Sequence, residues 1–150
     1  MIDIDILRSM ITRHEGKRYK IYDDANPNEE IKPGYTLKGY ITVGVGHNLH
    51  EPMTDDIIND LLENDISNAI SDCASIYPNW HELPDNAQMV LIDMCFNMGK
   101  RGLQNFKKMN RAVEDFNWAT MVKEMADSKW AHQVGVRASE LREMIETLKG

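Results

Sequence analysis

Tyr40-Ile41-Thr42-Val43-Gly44-Val45-Gly46-His47 is rich in β-branched and aromatic residues, the composition that suits a pleated, half-buried strand. Its glycines permit close approach of the backbone to a ligand or to another strand. Immediately upstream, residues 25–39 (Ala-Asn-Pro-Asn-Glu-Glu-Ile-Lys-Pro-Gly-Tyr-Thr-Leu-Lys-Gly) carry two prolines and two glycines and so mark turns. Before them, Arg18 to Tyr22 alternates like a short strand. Residues 17–46 therefore read as a small antiparallel sheet of hairpins.

Helical patterns lie on both sides. Ile6, Leu7, Met10 and Ile11 keep helical spacing, and Gly16 is a stop signal. Thr54 suits an N-cap, with Asp55 and Asp56 in the positive first turn. Ile57, Ile58, Leu61, Leu62, Ile66, Ala69, Ile70 and Cys73 then form a helical stripe to about Ser75. Tyr77 to Pro84 reads as a loop. Asn86 to Asn97 is apolar nearly all round, which argues a buried central helix, ended by Gly99. Shorter helices are expected near 106–115, 117–128 and 135–148, the second capped by Asn117. The fold class is α+β, in one domain over residues 1–150. A β lobe (14–53) joins through a long helix (54–75) to a helical lobe (76–150), which also takes the first helix.

Composition narrows the function classes. With 42% apolar and 27% charged residues, the chain reads as a soluble globular protein. Its length buries a core without disulfides or metals. No run approaches the roughly 20 apolar residues of a membrane helix, so no membrane insertion is expected. Met1-Ile2-Asp3-Ile4-Asp5 places acids where a signal peptide needs Lys or Arg. Cys73 and Cys95 match no metal-ligand spacing and read as reduced core residues. The 10 methionines suit a core that uses Met to fill gaps. Net charge is −7, and its distribution is uneven. Residues 51–90 hold nine acids and no base, whereas residues 1–50 balance and residues 91–150 are slightly basic. No basic stripe suits nucleic acid. The clusters Lys17-Arg18-Tyr19-Lys20 and Lys107-Lys108 read as solvated faces.

Three acids draw attention as chemistry. Glu15 stands at the last turn of the first helix, where the negative end of the helix dipole favours a protonated carboxyl. Asp23 and Asp24 follow at the end of the first strand. Two carboxyl groups in different environments are what glycoside hydrolysis uses, one to protonate the leaving oxygen and one to direct water. Asp65 lies on the apolar stripe and is expected to face inward, where a carboxylate needs a partner. His47-x-x-His50 lacks a third ligand at helical spacing, so no metal is expected.

Glu15-Gly16-x-Arg18-x-Lys20-Ile21-Tyr22-x-Asp24, followed by Gly39-Tyr40-Ile41-Thr42-Val43-Gly44-Val45-Gly46-His47, resembles the active-site region of the T-even-phage-type lysozymes. These are the endolysins grouped as glycoside hydrolase family 24. The likeness continues through Leu61-Leu62-Glu63-Asn64-Asp65-Ile66, Phe96-Asn97-Met98-Gly99, and Ser128-Lys129-Trp130 with Gln133 and Arg137. The resemblance implies a lysozyme-like fold with a cleft between the lobes. It implies Glu15 as general acid, Asp24 as second carboxylate and Thr42 as its partner in holding the attacking water. It implies Asn97, Gln133 and Arg137 as substrate-binding residues, and His47 with Asp65 as a structural salt bridge. An arginine at 137 would favour the charged form of the acid, against the helix-end effect, and that balance stays open. For Asn97 a helix-capping role is the alternative. The implied reaction cleaves, with inversion, the β-1,4 bond between N-acetylmuramic acid and N-acetylglucosamine in peptidoglycan, without a cofactor. The implied protein is a monomer held in the host cytoplasm until a holin opens its way to the wall. A silent glycan-binding module and a lytic transglycosylase are the competing readings, and a zinc amidase lacks ligands.

One departure stands out. The family has five residues between the catalytic Asp and Thr, whereas Asp24 and Thr42 enclose seventeen. The extra residues are expected to form an extended hairpin beside the cleft mouth, either a tolerated loop extension or a substrate contact or lid. Thr36 thereby competes with Thr42, though without the Gly-x-Gly-His context, and Asp23 competes with Asp24, though Tyr22-x-Asp24 fits better.

Overall fold

The computed structural model describes residues 2–148; Met1, Lys149 and Gly150, the ends of the expected 1–150 domain, lie outside the described residues. The chain divides into two compact units, Met1–Asp55 and Asp56–Gly150.

The first unit opens with helix α1 (Ile4–Glu15), whose start is capped by Asp3 accepting from the amides of Asp5 and Ile6. Gly16 closes it by donating its N–H to Thr12 O. Three strands follow, β1 (Arg18–Asp23), β2 (Ile41–Gly44) and β3 (His47–Asn48), in an antiparallel sheet of order β1-β2-β3. Tyr22 opposes Thr42 and Asp23 opposes Ile41, while Thr42 opposes Asn48 on the other side. The β2–β3 turn needs Gly46, whose φ of +66° strains any residue with a Cβ. The sheet of hairpins is therefore as read from the sequence. By compactness α1 groups with the strands in the first unit, whereas the sequence reading grouped it with the helical lobe.

Residues 25–39 correct an expectation. They form turns and bends with no strand, not an extended hairpin. The cause is Asp23, whose buried carboxylate draws Lys38 and Tyr35 back onto the end of β1.

The second unit holds α2 (Asp55–Ile76, whose first residue falls to the first unit), a 3-10 turn (Trp80–Glu82), α3 (Asp85–Gln104), α4 (Lys107–Glu114), α5 (Trp118–Ala126), α6 (Lys129–Val134) and α7 (Val136–Glu146). Gly99, at φ +76°, interrupts α3 where the stop signal stood. Asn117 caps α5 by accepting from Thr120 N, as expected. The sequence missed α6 and the 3-10 turn. Ser128, which accepts from Ala131 N, was the available signal for α6.

The core is built from Val90, Leu91 and Met94 of α3 and from Met109, Met121, Met125, Leu141 and Ile145 of the later helices. Four buried methionines fill it in the way the composition suggests. Cys73 and Cys95 are free and buried, and desolvation pushes both thiols above their ordinary range. The stripe of α2 departs from expectation. Ala69 and Cys73 are buried, but Leu61 and Leu62 are 48% and 44% exposed, and Asp65 is exposed with them. Periodicity identified the helix correctly, yet only its C-terminal part reaches this unit's core. Among the described residues, no helix is long and apolar enough to cross a membrane.

Candidate active site

Glu15, Asp24 and Thr42 all fall in the first unit. Glu15 is exposed at the last residue of α1, and its carboxyl lies over Gly46. A Cβ built at position 46 would stand 3.0 Å from Glu15 Oε2 and 3.4 Å from its Cδ. Glycine at this turn thus serves twice: it supplies the positive φ and it leaves the space that the acid occupies.

Asp24 and Thr42 are joined through one residue. Tyr40 N donates to Asp24 Oδ1 at 2.7 Å, and Thr42 Oγ1 donates to Tyr40 O at 3.1 Å. Asp24 N also donates to Tyr40 O at 3.1 Å. Asp24 is exposed, and its Oδ2 accepts no hydrogen bond from any described residue. Thr42 is buried, 4% exposed, with its single hydroxyl proton committed to Tyr40. What its oxygen can still offer is lone pairs, so toward a water it acts as an acceptor. Gly39 lies beside this group: a Cβ there would overlap Asp24 Oδ1 and come 2.8 Å from Ala25 Cβ.

The two competitors part company here. Thr36 is exposed on the 25–39 segment. Asp23 is fully buried and spends both oxygens on the protein: Oδ2 accepts from Lys38 N at 2.7 Å and Tyr35 Oη at 3.0 Å, and Oδ1 accepts from Ala25 N at 3.0 Å. Its carboxyl is held below the usual range, chiefly by the hydrogen bond from the Lys38 amide. The same burial, with Asp23 beside it, pushes the Tyr35 phenol upward.

The remaining expected residues are placed as follows. His47 is exposed at the start of β3, opposite Val43. Asp65 forms no ion pair with another described residue of its own unit and lines a pocket with Asn68, Asp72 and Phe96. Asn97 is not a helix cap; its Oδ1 accepts from Trp130 Nε1 at 2.9 Å. Gln133 lines a pocket of about 650 Å³ with Met98, Phe106, Lys129 and Trp130. Arg137 Nε pairs with Asp93 Oδ1 at 2.7 Å, and its Nη2 donates to Asp93 O. Asp93 was not picked out as part of a site, and Tyr40, Gly39 and Trp130 were quoted only within the motifs that carry the resemblance, without a role of their own. The signal for Asp93 was a lone charge inside an otherwise apolar run, which needs a partner. Tyr40 acts through its backbone, which carries no side-chain signal.

Residues 12–144 match the family model described as phage lysozyme. The chain is 26% identical to a Dictyostelium discoideum protein described as "Probable T4-type lysozyme 1", over 96% of this chain and 95% of that one. It is 25% identical, with the same coverage, to "Probable T4-type lysozyme 2" of that organism. It is also 27% identical to the "Pre-baseplate central spike protein Gp5" of Enterobacteria phage T4, over 94% of this chain and 28% of that protein.

Proposed function

Because the chain belongs to the phage lysozyme family, we propose that it is a muramidase cleaving the β-1,4 bond between N-acetylmuramic acid and N-acetylglucosamine in peptidoglycan. One observation carries the reading. Asp24 Oδ2 accepts no hydrogen bond from any described residue, and the Thr42 hydroxyl, tied to the same Tyr40 backbone, gives its proton to Tyr40 O and keeps its lone pairs. A water donating one hydrogen to each would keep a lone pair free to attack the anomeric carbon. Asp24 takes the water's proton as general base, and Glu15 gives a proton to the leaving oxygen. Attack by such a water, not by the carboxylate itself, inverts the anomeric centre. Asn97, Gln133 and Arg137 are proposed as substrate-binding residues, and no cofactor enters the chemistry. The biological role proposed is that of an endolysin, which a holin admits to the wall.

The test is reducing-end release from purified peptidoglycan by the wild type and by Glu15→Gln, with the folding of both checked by circular dichroism. Release that the folded variant abolishes supports the reading. Activity in both removes Glu15 as the acid. Silence in both points to a glycan-binding module, and 1,6-anhydro products point to a transglycosylase. For the endolysin role, cells expressing the protein in their cytoplasm should lyse only once a holin or chloroform opens the membrane.

A further inference from the structure

Adjacent aspartates at the end of β1 hold alternate amides of the returning chain. Asp23 accepts from Lys38 N and Asp24 from Tyr40 N, both at 2.7 Å. Between those amides lies Gly39, with no room for a Cβ against Asp24 Oδ1. The seventeen residues between Asp24 and Thr42 close a long loop, and a loop of that length has many ways to re-enter the sheet. Asp23 limits them, since Ala25 N and Lys38 N, at the two ends of the loop, both donate to it and Tyr35 Oη adds a third bond from within.

From this we infer that Asp23 is the positioning residue of the catalytic carboxylate: by pinning Lys38 it sets where Gly39 and Tyr40 meet Asp24. The inference rests on the muramidase reading for its kinetic consequence, but its structural consequence stands apart from activity. Asp23 is fully buried and both its oxygens accept from the protein, so its role is positioning. It acts through the loop that this chain carries in place of a short link.

The experiment uses Asp23→Asn and Tyr35→Phe in the full chain, read by amide hydrogen exchange at Tyr40 and by kcat and KM on peptidoglycan. Asparagine keeps one acceptor oxygen and turns a donor toward the other amide, so one end of the loop is released. The expected result is faster exchange at Tyr40 with a kcat lower by about ten- to a hundredfold and little change in KM. Tyr35→Phe should move both quantities in the same direction by less, and it decides the matter if Asp23→Asn does not fold. Unchanged exchange at Tyr40 in a folded variant overturns the inference, whatever happens to the rate. Faster exchange with an unchanged rate also overturns it. If the wild type shows no hydrolysis, the muramidase reading fails on its own, and the exchange at Tyr40 still tells whether Asp23 positions the segment beside Asp24.

Discussion

Gly39 lies directly against the carboxylate of Asp24, so a side chain at 39 and Asp24 Oδ1 cannot occupy their present places together. Ala25 blocks the other way out. Gly39→Ala should therefore turn Asp24 away from Tyr40 N while leaving the strands paired. Peptidoglycan hydrolysis is expected to fall by about 10²-fold or more, the scale of a misplaced acid–base group. The circular dichroism spectrum should be unchanged. A folded variant with full activity would remove Asp24 from the proposed chemistry.

Gly46 and Gly44 offer a matched pair. Both have positive φ, +66° and +67°, but only a Cβ at 46 meets Glu15. Either glycine replaced by alanine should cost about 1–2 kcal/mol of stability through backbone strain. Gly46→Ala should in addition displace the acid and lower kcat, whereas Gly44→Ala should not. Denaturant midpoints and hydrolysis rates of the two variants check this, and equal rates would count against Glu15 being held over the turn.

Asp23 fixes an acid limit. Its folded-state carboxyl is held below the ordinary range, chiefly by the Lys38 amide, so the folded state favours the charged form. Such a group contributes stability that is fully present above its unfolded value of about 3.9. That contribution fades as pH falls through the lowered folded value. Stability of the wild type should accordingly drop more steeply than that of Asp23→Asn on acidification below about pH 4. Parallel acid curves would show that Asp23 does not titrate across folding.

Trp130 and Asn97 are coupled by one hydrogen bond across 33 residues. Trp130→Phe keeps an aromatic ring against Phe106 and should cost about 0.5–1.5 kcal/mol for the lost bond. Asn97→Ala leaves the indole N–H of the buried Trp130 without that partner. The double variant should be more stable than the sum of the single effects predicts. Urea unfolding of the four proteins measures the difference.

What the residues themselves announced was local. Gly16 ends α1, Gly99 breaks α3 and Asn117 starts α5, each through its own backbone preference or its own side chain. As candidates, Glu15 and Thr42 drew attention because Gly16 follows the one and Gly44 and Gly46 follow the other, while Asp24 was marked by Tyr22-x-Asp24. The fold of residues 25–39 was not legible, because it depends on Asp23 reaching Lys38, fifteen positions away. The pairing of Arg137 with Asp93 spans 44 positions and was hidden for the same reason. The apolar stripe of α2 showed that a helix forms but not how much of it the second unit's core covers.

The net charge of −7 carries the last prediction. Bacterial walls are anionic, and a protein with this balance gains no long-range attraction to them. Lys17, Lys20 and Lys129 are exposed, but so are most of the nine acids between residues 51 and 90. Raising ionic strength from about 0.01 M to about 0.15 M shortens the screening length from about 30 Å to about 8 Å. For a basic enzyme that change removes the attraction, and the rate on intact walls falls. Here it removes mainly repulsion, so the rate should stay level or rise slightly across the same range. Turbidity loss of wall suspensions at fixed pH and graded salt reads it directly. A steep fall would mean that a local positive face, not the net charge, governs the approach to the wall.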